Sequence, residues 1–164
     1  MRIGQGFDVH AFADNRPLIL AGVTIPYTRG LAGHSDADVV IHALIDALLG
    51  ALALGDIGML FPDNDVKFKD IDSRILLKKT MMLIHAEHYQ INNIDLTIMA
   101  ESPKLTPYKA AMRDNLALEC HVQVNQVSVK ATTTEKLGFI GRGEGIACSA
   151  IVLLTPITTH YAQL

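Results

Sequence analysis

Cysteine is nearly absent: Cys120 and Cys148 are the only two in 164 residues. That excludes a disulfide framework and suits a reducing compartment. Tryptophan is missing altogether and aromatic residues make up only 5%, so the chain has little with which to stack nucleobases along a strand. No lysine- or arginine-rich run occurs, and 14 basic against 17 acidic residues leave a formal charge of -3. Nothing in this balance draws the chain to nucleic acid or to an anionic membrane. The longest apolar stretch, Val39 to Leu54, is interrupted by His42 and Asp46 and is too short to cross a bilayer comfortably. Met1 to Gly6 has neither a secretory h-region nor a transit-like composition. The expectation from these absences is a cytoplasmic globular protein of one domain, residues 1–164, with no nucleic-acid or membrane partner.

What is abundant is apolar: 49% of residues are hydrophobic. Two causes contribute, strands buried on both faces and surface hidden between subunits. Ile3 to His10 and Leu18 to Ile25 read as strands around the turn-prone Ala13-Asp14-Asn15-Arg16-Pro17. Asp38 to Leu54 reads as a helix stopped by Gly55, with Ser35 or Asp36 available as its N-cap. Gly55 to Asp70, rich in Asp with Gly and Pro, reads as a mobile loop. Ser73 to His88 reads as an amphipathic helix capped by Ser73, Ile94 to Ala100 as a strand, and Pro107 to Glu119 as a helix. Val124 to Thr132 and Ile146 to Leu154 are expected strands, the second central because it is apolar almost throughout. Strands mixed with helices give an α/β or α+β domain.

Three residues carry most of the chemistry. Asp8 and His10 lie two apart in an expected strand and so project to one face. With His42 they would supply a carboxylate oxygen and two imidazole nitrogens, leaving one position open, as in a catalytic zinc site. The competing reading is that Asp8 and His10 only satisfy a strand end. Along the expected helix, Asp38, His42 and Asp46 recur every four residues in otherwise apolar surroundings, forming one polar stripe that needs a destination. Either the stripe pairs internally, or His42 binds metal while Asp46 or Asp38 holds its other nitrogen. His34 is not needed for capping and suits a phosphate. Thr132-Thr133-Thr134-Glu135 fits a capping box, with Thr132 as cap and Glu135 reaching back; its hydroxyls and carboxylate equally suit a phosphate and its magnesium ion. Two histidines and a carboxylate also suit iron(II) oxygenases, a reading the Thr-Thr-Thr-Glu segment disfavours.

Taken together, Gly4-Gln5-Gly6-Phe7-Asp8-Val9-His10, His34-Ser35-Asp36, His42-Ala43-Leu44, Asp56 through Asp65, and Lys130 through Phe139 continuing to Gly145 resemble the 2-C-methyl-D-erythritol 2,4-cyclodiphosphate synthases of the non-mevalonate isoprenoid pathway. The resemblance covers nearly the whole chain. It implies an α+β fold with a mixed sheet packed by helices, assembling as a homotrimer in the bacterial cytoplasm, with active sites between subunits. Asp8, His10 and His42 would bind zinc, with manganese a possible substitute, and Glu135 would bind magnesium. His34 and Thr133 would orient and stabilise a cytidine diphosphate-linked substrate. Asp56, Gly58, Phe61, Pro62, Asp63, Asn64 and Asp65 would line its sugar and methylerythritol portions, with Ser35 also among the substrate contacts. Ala100, Pro103, Lys104 and Leu105 would form the cytosine pocket, while Thr132, Phe139 and Arg142 would complete the substrate contacts. Arg142 and Glu144 match residues near the trimer axis, where some members hold an isoprenoid diphosphate; a purely binding role in such a cavity is a further alternative. Gln5 and Glu101 depart from the family, which frequently has His and Gln there. If Glu101 faces the base, nucleotide affinity is affected.

Overall fold

Two glycines set the architecture. In the computed structural model, which describes residues 1–62, 66–68 and 70–157, β1 (Arg2–Ala13) runs beneath α1 (Val39–Ala51). A side chain at Gly4 would overlap the carbonyl oxygen of Ala47, and one at Gly6 that of Ala43. Both positions lie on the strand face that also carries Asp8 and His10. The helix therefore sits on bare backbone, antiparallel to the strand, and its first turns arrive over Asp8 and His10.

The remaining elements are β2 (Leu18–Leu20), β3 (Val23–Ile25), β4 (Gly30–Leu31), α2 (Ile57–Leu60), α3 (Ser73–Ala86), β5 (Tyr89–Met99), α4 (Lys109–Cys120), β6 (Val127–Thr132), α5 (Gly138–Gly141) and β7 (Gly145–Pro156). The main sheet has the order β4-β1-β7-β5-β6. All its pairs are antiparallel except β5 with β6, which needs a crossover, supplied by α4. This is an α+β arrangement with a mixed sheet, as expected. β7 is central, and its apolar run follows from that place.

The long helices α1, α3 and α4 cover one face. α1 is buried nearly throughout, pressed between β1 and β7 below and α3 and the β2–β3 hairpin around it. On the other face Ile3, Phe7, Val9 and Ile151 stay exposed, Ile3 by 71% and Phe7 by 51%.

Several local expectations are corrected. Leu18 to Ile25 is not one strand but a hairpin turning at Ala21 and Gly22, both with positive φ (52° and 71°), the geometry that two-residue hairpin loops favour. Asp38, not Ser35 or Asp36, caps α1; its carboxylate accepts the N–H groups of Val40 and Ile41 and also those of Ala21 and Gly22. α1 ends before Gly55, because Ala53 takes the left-handed conformation (φ 57°) and the N–H groups of Ala53 and Leu54 turn back to Gly50 and Leu49. Asp72 rather than Ser73 caps α3. Residues 124–126 form a 3-10 turn before β6. Among the described residues of the expected loop Gly55 to Asp70, Ile57–Leu60 are helical (α2) and Val66–Phe68 form a 3-10 turn.

The close contact makes a stability prediction. Gly6→Ala should lower unfolding free energy by at least about 3 kcal/mol, since backbone rather than a flexible side chain must move. Gly50→Ala, on α1 with no neighbour nearer than 3.8 Å, should raise it by about 0.5–1 kcal/mol. Urea denaturation of the two variants checks both.

Candidate metal centre and active-site cavity

Asp8 and His10 reach up from β1 and His42 reaches down from α1. Asp8 Oδ2 lies 2.9 Å from His10 Nε2 and 3.1 Å from His42 Nδ1; the two ring nitrogens are 3.1 Å apart. Among the described residues this is the one cluster of three side chains able to hold a metal ion. Bonds of 2.0–2.1 Å to a tetrahedral zinc put ligand atoms about 3.3 Å apart, so only a slight expansion is needed.

Protons decide the fit. His10 Nδ1 faces the carbonyl oxygen of Ala32 at 2.5 Å, and a carbonyl only accepts, so this nitrogen carries the hydrogen. Nε2 of the neutral ring is then a bare lone pair aimed at a carboxylate oxygen. Such a convergence calls for a cation at its centre. Without metal a proton takes that part: burial opposes the charge on His10, but the hydrogen bond and charge of Asp8 outweigh it and raise the pKa above its ordinary 6.5. Asp8 answers in the opposite sense. Burial would raise its pKa, yet the His10 and His42 rings beside it hold it well below the carboxylate range.

The loop before α1 completes the surroundings. A side chain at Gly33 would crowd the His10 ring at 3.2 Å and Ala37 at 2.8 Å. Arg16 donates to the carbonyls of Gly33 (3.0 Å) and Ser35 (2.5 Å), clamping the loop from outside. The carbonyl of His34 accepts the N–H of Asp70, and the N–H of Asp36 donates to Ile71. His34 and Ser35 thus line, with the triad, Gly58, Phe61 and Pro62, an open cavity of about 530 Å³. Asp56 is the cap of α2 and is not among the residues lining the cavity. Asp63, Asn64 and Asp65 lie outside the described residues.

Asp46 does not hold His42. Its carboxylate accepts the Ile57 N–H at 2.7 Å, tying α1 to α2. Asp38 is committed to backbone donors, as described above. The other nitrogen of His42, Nε2, meets the hydroxyls of Ser35 at 3.1 Å and Ser73 at 3.0 Å. The polar stripe therefore has three separate destinations. Ser73 and Arg16 escaped sequence reasoning, since neither has a spacing that links it to the triad.

The second group of expected residues stands apart. Ala100, Pro103, Lys104 and Leu105 follow β5, and Thr132, Thr133 and Glu135 end or follow β6. They emerge at the same end of the sheet as His10, but β7 intervenes, placing β5 roughly 10 Å and β6 roughly 14 Å from β1. None of them lines the cavity above the triad. Ala100 and Leu105 are buried and Lys104 is exposed. The expected capping box is not formed: Glu135 Oε1 accepts the Thr133 hydroxyl at 3.0 Å, Glu135 and Lys136 take positive φ (52° and 64°), and α5 begins only at Gly138. The cause is Glu101, whose Oε1 accepts the N–H groups of Thr134 (2.9 Å) and Lys136 (3.3 Å) and bends the chain into a turn. Glu101 is a clamp on this turn. Arg142 pairs with Glu144 at 2.6 Å on the surface, beside an open apolar hollow that includes Val9 and Phe139.

The model of the YgbB family matches residues 1–155. The chain belongs to the YgbB family. Among curated members, the 2-C-methyl-D-erythritol 2,4-cyclodiphosphate synthase of Histophilus somni (strain 2336) is 58% identical over 154 residues, 94% of this chain and 95% of that one. Among solved YgbB-like structures, the bifunctional IspDF of Campylobacter jejuni matches 94% of this chain with TM-score 0.91 and 52% identity; the chain spans 42% of that protein's length. The IspF of Plasmodium falciparum, in a CDP complex, matches with TM-score 0.84 and 37% identity over 96% of this chain and 97% of that one.

Metal must displace a proton from His10 wherever that ring is charged, so apparent zinc affinity should fall as pH is lowered through the pKa of His10, which lies above its ordinary 6.5. Competition with a chromophoric chelator at each pH measures this. An affinity flat through that pKa would remove His10 from the ligand set.

Proposed function

We propose that the chain converts 4-diphosphocytidyl-2-C-methyl-D-erythritol 2-phosphate to 2-C-methyl-D-erythritol 2,4-cyclodiphosphate with release of CMP. The observation that carries this reading is the bare-atom triad opening onto the cavity of His34 and Ser35, in a chain of the YgbB family. An oxygen of the 2-phosphate attacks the β-phosphorus and forms the new P–O bond. The bond from the β-phosphorus to the oxygen shared with the α-phosphate breaks, and CMP leaves with that oxygen. The nucleophile is already an anion, so no strong base is required.

Asp8, His10 and His42 hold zinc, or manganese in its place, and Glu135 holds magnesium. When bound, these ions supply the positive charge that draws phosphate groups together and disperses charge on phosphorus. A lone carboxylate such as Glu135 would suit magnesium, a hard cation that prefers oxygen ligands. His34 and the Thr133 hydroxyl orient the diphosphate, with Ser35 and Thr132 beside it. Asp56, Gly58 and the Phe61 to Asp65 segment shape the sugar side. Ala100, Pro103, Lys104 and Leu105 receive the cytosine through backbone and apolar contact. Phe139 and Arg142 complete the substrate contacts. Holding both reacting groups in one pocket is worth about 7 to 11 kcal/mol at best.

Residues 1–164 act as one domain of a cytoplasmic homotrimer. The uncovered sheet face, with Ile3, Phe7, Val9 and Ile151 exposed, supports such assembly. So does the separation within one chain of the triad from the Ala100 and Thr132 segments, which subunit contact would bring together. An isoprenoid diphosphate at the trimer axis would meet Arg142 already paired to Glu144 and so would have to compete for it.

Phosphorus NMR of metal-loaded protein with the substrate should show CMP and the cyclic diphosphate. His42→Ala should lower kcat by about 100-fold or more. Metal-loaded wild-type protein that releases no CMP sinks the assignment.

A further inference from the structure

The hydrogen bonds behind His42 form a directed chain that reaches Asp36, a carboxylate outside the triad. Ser73 Oγ donates its one proton to Asp36 Oδ1 at 2.5 Å. Asp36 has no other choice of role, because its carboxylate also accepts the N–H groups of Ser73 at 3.1 Å and Asp38 at 3.2 Å. With its hydrogen committed, the Ser73 oxygen can only accept from His42 Nε2, 3.0 Å away. Ser35 Oγ, which accepts the Ala37 N–H, lies 3.3 Å from Ser73 Oγ and can direct its own proton there. That leaves it a second acceptor for the same Nε2–H. Ser73 is fully buried, which shields its bonds from water, and Ser35 is nearly buried.

We infer that Asp36, acting through the Ser73 hydroxyl, is a positioning residue that holds the proton of His42 on Nε2 and keeps Nδ1 bare for the metal. This rests on the metal reading of the triad. It assigns to Asp36 and Ser73 a part that helix capping does not cover, since the caps of α1 and α3 are Asp38 and Asp72. An amide at position 36 would place an NH₂ among three donors. Turned toward Ser73, it would donate to that hydroxyl and release the serine proton toward Nε2. The imidazole would then shift its hydrogen to Nδ1, the atom the metal needs.

The test is a double-mutant cycle read as zinc affinity by chelator competition, with thermal melting of the metal-free proteins as the control on folding. Ser73→Ala and Asp36→Asn should each weaken zinc binding by about 10- to 100-fold. In the Ser73→Ala background, Asp36→Asn should add no further loss, because its path to the metal is already cut. Additive losses, or wild-type affinity in Ser73→Ala, overturn the inference while leaving the metal site standing. A wild-type chain that does not bind zinc, or binds it as tightly after His42→Ala, overturns the metal reading and this one with it. Should Asp36→Asn fail to fold, nitrogen-15 NMR of histidine-labelled, zinc-loaded wild type decides. An exchange-protected proton on His42 Nε2 that loses its protection in Ser73→Ala is expected; a bare Nε2 in the wild type overturns the inference.

Discussion

Helix α1 rests directly on the backbone of β1 because Gly4 and Gly6 carry no side chain, and the rest of the molecule is arranged around that contact. Methyl groups there would meet carbonyl oxygens of Ala47 and Ala43, which cannot rotate away as side chains can. The close approach brings His42 within 3.1 Å of Asp8 and His10; even a small lift of the helix would separate the three ligand atoms. It also explains why α1 is apolar almost all round. A helix with sheet on one side and α3 and a hairpin on the others has nowhere to place polar side chains except in local pockets built for them.

Those pockets are the second level of organisation. Asp38 gathers four backbone N–H groups, two from its own helix and two from the β2–β3 turn, and so joins cap and hairpin in one buried carboxylate. Asp46 reaches the start of α2. His42 enters a serine–aspartate cluster on one side and the metal triad on the other. Each polar group on α1 is satisfied by a different element, so the cavity wall is held by the same bonds that hold the core.

The sheet imposes the remaining constraint. β7 runs between β1 and β5, so the triad and the Ala100 to Leu105 and Thr132 to Glu135 segments share a sheet end but not a cavity. Glu101 shapes the second group by taking the backbone donors of Thr134 and Lys136, which forces the two residues after Thr134 into left-handed conformations. That turn presents Thr133 and Glu135 together at the surface, their side chains bonded to one another at 3.0 Å.

Much of this was legible in the residues alone. Period-two placement of Asp8 and His10 predicts one strand face, and the four-residue recurrence of Asp38, His42 and Asp46 predicts one helix stripe; both follow from backbone geometry that depends only on spacing. The apolar run of β7 predicts a central strand for the same kind of reason. The partners across space were not legible. Whether Asp46 or Ser73 meets His42 depends on where α2 and α3 come to rest, and which of Ser35, Asp36 and Asp38 caps α1 depends on donors arriving from a hairpin. Nor did Thr132 to Glu135 reveal that a carboxylate at position 101 would claim its backbone. Local periodicity is written in the chain. The assignment of each donor to its acceptor is a property of packing, which only the folded structure decides.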